Sequence, residues 1–110
     1  MKRSIELLPQ VSFSILMALS LKPRHGYEII QQVDTDSMSK IRLGPASLYV
    51  TLKKLIDSDL IEEVDIDGNE RRRYYQLTDK GWQRLHTEMG YYTNIAEISK
   101  SRLVKKWSHS

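Results

Sequence analysis

Cysteine is absent from the 110-residue chain, which therefore forms no disulfide bond. A reducing compartment is the default for such a chain, so we expect a cytoplasmic protein. Long hydrophobic runs are missing as well. The most apolar segment, residues 11–21, contains three serines and falls short of the ~20 apolar residues of a membrane span. We therefore expect a soluble protein that is neither processed nor bound to a membrane.

Catalytic and metal-binding motifs are also missing. The three histidines, His25, His86 and His109, are far apart and have no cysteine partners, so no metal-ligand spacing occurs. The chain has no Gly-x-Ser-x-Gly elbow and no glycine-rich phosphate-binding loop. The sequence thus predicts no enzyme, no cofactor and no metal site.

The composition of the chain is typical of one folded domain. Hydrophobic residues make up 40% of the chain and charged residues 28%, with a formal net charge of +3 and a pI near 9.2. A chain of 110 residues buries only a modest core, which favours association with another subunit. The mildly basic balance permits a nucleic-acid partner without requiring one.

Three helices are expected in the first half of the chain. Residues 12–21 are apolar almost all round, as in a centrally buried helix, and residues 22–25 should form a turn. A second helix of about ten residues begins at Gly26. The alternation of charged and apolar residues at 40–43 predicts a very short strand, and Pro45 fits the first turn of a third helix.

The third helix has one apolar face and one face that is small and polar. Leu48, Leu52, Leu55 and Ile56 recur at helical spacing and should face the core. The opposite face can enter the major groove of DNA, which is ~12 Å wide. Its candidate DNA-binding residues are Ser47, Tyr49, Val50, Lys53 and Lys54. The alternatives are that Ser47 caps its own helix, that Tyr49 packs in the core and that the lysines are solvated surface.

A β-hairpin is predicted for residues 61–78, with its turn at 67–70. The return strand opens with Arg71, Arg72 and Arg73, which are candidates for phosphate or minor-groove contact. The alternative is that they pair with acidic residues across the hairpin, namely Glu62, Glu63 and Asp65. A recognition-type helix beside a basic hairpin predicts a winged helix-turn-helix DNA reader, mainly α with a small β-hairpin.

Residues 79–110 are expected to form a long C-terminal helix with a frayed tail from residue 104. Its apolar side chains recur every three or four residues and find no partner in so small a domain, so we assign this stripe to another subunit. The chain would then consist of a DNA-binding part, residues 1–78, and a dimerisation part, residues 79–110, in one compact unit.

Four blocks of residues resemble a known family in their order and spacing. They are His25-Gly26-Tyr27-Glu28-Ile29-Ile30, Pro45-Ala46-Ser47-Leu48-Tyr49, Leu52-Lys53-Lys54-Leu55 with Leu60-Ile61, and Arg72-Arg73-Tyr74-Tyr75-Gln76-Leu77-Thr78 with Gly81. Over about residues 13–103 the chain resembles the PadR family of bacterial transcriptional regulators, and in particular its short members. It departs from the family pattern at Val50, where proline is frequent, and in its unusually acidic outgoing wing strand.

The resemblance implies a homodimer that binds double-stranded DNA and packs its C-terminal helix across the dimer axis. It also implies that members usually repress transcription and that some release DNA when a small aromatic or drug-like compound binds near the dimer interface. Candidate effector-binding residues are Trp82, Met89, Tyr91 and Tyr92, with plain packing as the alternative. Other functions stay open: a winged-helix protein-interaction module, a heterodimer partner with little DNA specificity, or a ligand sensor acting mainly through its pocket.

Overall fold

The computed structural model describes residues 6–68 and 71–108, which form four helices and a three-stranded sheet. Within these residues no helix is both long enough and apolar enough to cross a membrane. The prediction of a mainly helical fold with a small hairpin and a long C-terminal helix is confirmed. In chain order the elements are α1 Gln10–Leu19, β1 Arg24–His25, α2 Gly26–Asp36, α3 Pro45–Asp57, β2 Ile61–Val64, β3 Tyr74–Leu77 and α4 Asp79–Ser108.

The sheet is antiparallel, with β3 between β1 and β2. Ile61 pairs with Leu77 at one end of the hairpin and Val64 pairs with Tyr74 at the other. Tyr75 and Leu77 are buried, so β3 directs these two side chains into the core. Burial raises the pKa of the Tyr75 hydroxyl and the nearby Glu63 carboxylate acts in the same direction, so Tyr75 remains neutral at physiological pH. The hairpin is therefore anchored to the body through β3.

The core lies between α1, α2, α3 and the sheet, and α1 is its central element. Ile15, Leu16 and Ala18 have no exposed surface, as the apolar character of α1 predicted. Three leucines of α3, Leu48, Leu52 and Leu55, are buried against this core. The opposite face of α3 is thereby turned to solvent.

Two predictions about strands and turns are wrong. Residues 40–43 form a loop, in which the Ile41 N–H donates to Ser37 Oγ at 2.9 Å. The third strand is instead β1, in the segment where a turn was predicted. Its two residues become a strand only because they pair with Tyr74 and Tyr75 of β3, about fifty positions further along the chain. Local alternation carries no information about such a distant partner.

The predicted limits and faces of the helices also need correction. α1 begins and ends two residues earlier than predicted, because the Pro9 carbonyl accepts a hydrogen bond from the Phe13 N–H at 3.0 Å. Ile56 is 37% exposed rather than buried, since it lies at the edge of the face that Leu52 and Leu55 occupy. α4 extends to Ser108 and so includes residues 104–108 of the segment that was predicted to fray.

The three arginines of the hairpin precede β3, which begins at Tyr74, so they do not open the return strand as predicted. The turn of the hairpin includes Gly68, whose backbone lies in the left-handed region at φ 72°. Two residues of the predicted turn, Asn69 and Glu70, lie outside the described residues, as do residues 109–110 of the predicted tail.

Candidate nucleic-acid interface

The N-terminus of α3 presents Ser47 to solvent without using it as a cap. The N-cap position is Gly44, and Pro45 occupies the first turn, where its missing N–H leaves no hydrogen bond unmade. The Ser47 carbonyl accepts a hydrogen bond from the Thr51 hydroxyl at 2.9 Å. The alternative reading of Ser47 as a helix cap is therefore wrong, and its exposed side chain shares a side of α3 with those of Val50 and Lys54, three and seven residues further on.

Tyr49 connects the exposed face of α3 to the start of α2. Its side chain is 54% exposed, so it is not a core residue. Its hydroxyl covers Gly26 so closely that a Cβ atom at that position would lie 2.7 Å from the Tyr49 oxygen. The absence of a side chain at Gly26 thus allows α2 to approach α3, and the first turn of α2 borders the exposed face of α3.

The two lysines of α3 differ in their surroundings. Lys53 Nζ lies 3.4 Å from Asp57 Oδ2, in an exposed pair one helical turn apart. Lys54 has no ion pair within 4.0 Å among residues 6–68 and 71–108, and its side chain is exposed. Of the two, Lys54 therefore offers the more available charge for an external anion.

Two of the hairpin arginines are paired with acidic residues of their own hairpin. Arg73 Nη1 lies 3.4 Å from Glu63 Oε2, and Arg72 Nη1 lies 3.9 Å from Asp67 Oδ2. A hydrogen bond with the Tyr74 side chain raises the pKa of the Arg72 guanidinium above its usual value. All these side chains are substantially exposed, and exposed pairs contribute little to stability. A phosphate can therefore compete with the carboxylates for the arginines.

These pairings support the cross-hairpin alternative in part. Glu63 pairs with Arg73 as predicted, whereas Glu62 accepts a hydrogen bond from Gln76 Nε2 at 2.9 Å instead. Asp65 accepts from the Gly68 N–H at 2.7 Å and so supports the turn. Arg71 is exposed at the beginning of the segment that leads into β3.

The four candidate effector-binding residues lie on different sides of α4. Trp82 and Met89 are seven residues apart, or nearly two full turns, and so share a side. Tyr91 is nine residues from Trp82, which places it on the opposite side. Tyr92 packs against Phe13 of α1 with 4.8 Å between ring centroids, so packing accounts for part of its role. In the part of the chain that the structure describes, no cluster of metal-ligating residues occurs.

A buried carboxylate that the sequence did not single out ties the N-terminal segment to α4. Glu88 is 2% exposed, and both of its oxygens lie 3.1 Å from the Leu8 N–H. Arg84 Nε donates to Glu88 at 2.6 Å, and another nitrogen of Arg84 donates to the Glu6 carbonyl at 2.7 Å. In the sequence the Arg84 and Glu88 spacing matches an ordinary exposed i, i+4 pair. Only the packing of residues 6–8 against α4 reveals that Glu88 is buried.

Comparison with known proteins gives the same family as the sequence motifs. The model of the transcriptional regulator PadR-like family matches residues 15–87. A relative from Lysinibacillus sphaericus, described as uncharacterized protein X, is 30% identical over 88 residues, covering 77% of this chain and 81% of the relative. The resemblance inferred from the four blocks of residues is confirmed.

Solved structures share the fold. A PadR family transcription regulator from hypervirulent Clostridium difficile R20291 matches with a TM-score of 0.71 at 23% identity, over 86% of this chain and 99% of that one. A PadR-like transcriptional regulator from Bacillus cereus strain ATCC 14579 matches with a TM-score of 0.71 at 22% identity, over 84% of this chain and 90% of that one. The arrangement of α3, hairpin and long last helix is therefore common to this chain and these regulators.

Proposed function

The chain belongs to the PadR-like family of transcriptional regulators, and from this premise we propose that it is a sequence-specific repressor that binds double-stranded DNA as a homodimer. The observation that carries the proposal is the exposed face of α3. It presents Ser47, Tyr49, Val50 and Lys54, which has no ion pair among the described residues, beside a hairpin with three exposed arginines. Small residues at the start of a recognition helix admit base edges, and flanking cations bind phosphates.

The homodimer is proposed from the projecting part of α4. Every residue from 89 to 106 is exposed, although this part of the helix is rich in large apolar side chains. A second copy of the same helix would cover this surface through an isologous contact. The large apolar side chains left exposed along α4 are Trp82, Met89, Tyr91, Tyr92, Ile95, Ile98, Leu103 and Val104.

Two-fold symmetry sets the form of the operator. Two copies of α3 would enter successive major grooves of a pseudo-palindromic site, with half-sites ~34–36 Å apart. A small aromatic or drug-like effector would bind where Trp82 and Met89 of one subunit face the partner, since flat aromatic surfaces suit such ligands. Occupation of that site would change the angle between subunits and so the distance between the two α3 helices.

The proposal is tested by titrating the purified protein, followed by fluorescence anisotropy, against the DNA upstream of its own gene and a scrambled duplex at two salt concentrations. We expect preference for the native duplex, weakening steeply with salt because phosphate contacts release counterions. Native mass spectrometry should give twice the chain mass. Equal binding to both duplexes would contradict sequence specificity, and a dimer that binds no DNA at low salt would favour a protein-interaction module.

Single substitutions on α3 should separate positioning contacts from specific ones. Lys54→Ala should lower affinity for operator and scrambled duplex by the same factor, about three- to tenfold, because a phosphate contact carries no sequence information. Ser47→Ala should lower affinity for the operator by about fivefold and leave scrambled DNA unchanged, as expected for one hydrogen bond to a base edge. The measurement is the same titration.

The control for Lys54→Ala is Lys80→Ala, which removes another exposed lysine, at the start of α4 beside Asp59 and Glu62. Its affinity should equal that of the wild type. If Lys54→Ala and Lys80→Ala weaken binding equally, overall charge rather than a contact at α3 explains the loss. If Ser47→Ala changes neither affinity, Ser47 faces the groove without contacting a base.

Because acidic residues pair with two of the hairpin arginines, removing one of these acidic charges is expected to raise DNA affinity. Glu63→Gln should raise affinity for any duplex about two- to fivefold, because it removes a negative charge from the hairpin and releases Arg73 for a phosphate. The dependence on salt should become steeper. Glu62→Gln removes the same charge from the same strand, where the carboxylate accepts from Gln76 Nε2, and serves as the control. Unchanged affinity of Glu63→Gln would show that Arg73 does not reach the DNA.

A further inference from the structure

A shallow depression between α2 and the loop before α3 has a volume of about 320 Å³ and lies outside the residues considered so far. Tyr27 borders it and is 65% exposed, so packing does not explain why a large aromatic side chain occupies this position. Arg42 lies on the other side. The full lining is Tyr27, Ile30, Gln31, Asp34, Arg42 and Leu43.

The polar groups of this depression are mainly unused donors. Gln31 Nε2 donates to the Tyr27 hydroxyl oxygen at 3.0 Å, so the oxygen acts as acceptor and its own proton is left to donate outward. The exposed Arg42 guanidinium carries five donors and has no ion pair within 4.0 Å in the described ranges of the chain. A hydroxyl donor and a guanidinium without an ion pair among the described residues together suit an anionic oxygen ligand.

Asp34 limits which anion can bind. This half-buried carboxylate also lines the depression and accepts a hydrogen bond from the Ser39 hydroxyl at 3.3 Å. Its negative charge repels a small free anion, which would have no other contact with the protein. A phosphodiester of DNA is different because the rest of the interface holds it in place, so two further donors add to a contact that already exists.

The position of the depression matches the path of a DNA backbone. The Tyr49 hydroxyl covers Gly26, the residue that precedes Tyr27, and Arg42 lies three residues before the start of α3, so the depression adjoins the N-terminal end of α3. In helix-turn-helix proteins the first helix of the motif crosses the backbone while the second lies in the groove. We propose that Tyr27 and Arg42 bind one backbone phosphate of DNA and so set the depth and angle at which α3 enters the major groove. This inference rests on the proposed function and extends its interface to α2.

Tyr27→Phe is the first test, because it removes only the O–H donor and retains the ring. We expect affinity for operator and scrambled duplex to fall by a common factor of about three to ten, as for the loss of a hydrogen bond to a charged group. Arg42→Gln should weaken both and reduce the slope of log affinity against log salt by about one. Lys80→Gln, which removes an exposed cation at the start of α4 beside Asp59 and Glu62, should leave both affinities unchanged.

Replacement of single operator phosphates by neutral methylphosphonates identifies the contact. At one position in each half-site, the replacement should weaken the wild type but have no further effect on the Tyr27→Phe, Arg42→Gln double variant. If the replacement weakens the double variant as much as the wild type at every position, Tyr27 and Arg42 do not bind a backbone phosphate. A change in the specific-to-random ratio by Tyr27→Phe would also overturn the phosphate site, because it would indicate a base contact.

The remaining outcomes distinguish this inference from the function on which it rests. If the wild type prefers its operator and both single variants bind like the wild type, the proposed function stands and the phosphate site is overturned. If the wild type binds no duplex at low salt, both are overturned. If millimolar inorganic phosphate protects the wild type but not the double variant against thermal unfolding, the depression is a free-anion site instead.

Discussion

Replacing Gly81 by alanine is expected to destabilise the protein by about 3 kcal/mol, at the upper end of the costs of overpacking. A Cβ atom at Gly81 would lie far inside contact distance of the Leu60 carbonyl oxygen. That oxygen belongs to backbone and accepts a hydrogen bond from the Thr78 N–H at 3.1 Å, so it cannot simply rotate away. The start of α4 would have to move away from the junction of α3 and β2.

The hydrogen bonds around Thr78 explain why this junction has little freedom. The Thr78 hydroxyl oxygen accepts from the Gly81 N–H at 2.9 Å and its O–H donates to the Asp59 carbonyl at 2.7 Å. Thr78 thus caps α4 and attaches it to the end of α3. Urea denaturation followed by circular dichroism, at one fixed protein concentration, measures the loss of stability.

Gly90→Ala in the same helix is the matched control. Nothing lies within 4 Å of a Cβ at Gly90, so alanine should stabilise the helix by up to about 1 kcal/mol through its higher propensity. If Gly81→Ala is as stable as the wild type, the close approach to Leu60 is not a constraint. If Gly90→Ala lowers stability together with the dimer fraction, Gly90 lies in the subunit interface.

Replacing Glu88 by alanine is expected to lower the free energy of unfolding by about 2 to 3 kcal/mol. The loss leaves the Leu8 N–H without its acceptor and Arg84 without its buried carboxylate. Removing one partner of a fully buried pair typically costs 3–5 kcal/mol. The expected value is smaller because the Arg84 side chain is a quarter exposed and water can solvate it after the substitution.

Asp57→Ala provides the comparison for Glu88→Ala, since both remove the carboxylate of an i, i+4 pair with a cation on the same helix. Asp57 and Lys53 are exposed, so this loss should stay within about 0.5 kcal/mol. Equal effects of the two substitutions would show that the N-terminal segment does not depend on Glu88. Hydrogen exchange at the Leu8 amide should increase only in Glu88→Ala, because only there is its acceptor removed.

Local sequence patterns correctly predicted the features that depend on a single helix or on the order of motifs. The helical spacing of Leu48, Leu52 and Leu55 predicted which face of α3 is buried, and therefore which face is exposed. Pro45 predicted where α3 begins. The order of the four blocks of motif residues identified the family, which the family model over residues 15–87 confirms.

The features that were missed depend on residues distant in the chain. β1 is a strand only through its pairing with β3, and Glu88 is buried only because residues 6–8 pack on α4. The depression at Tyr27 likewise combines α2 with the loop before α3. Hydrophobic periodicity indicates which face of a single helix or strand is buried. It carries no information on which distant segments of the chain pack together.

The sequence by itself thus determined the family, the helical content and the exposed face of the recognition helix, because side-chain periodicity and motif order are local properties. Only the tertiary structure decided which arginines of the hairpin are paired, where the N-terminal segment is held and which residues of α2 border α3. Those features depend on hydrogen bonds and ion pairs between segments that come together only when the chain folds around α1.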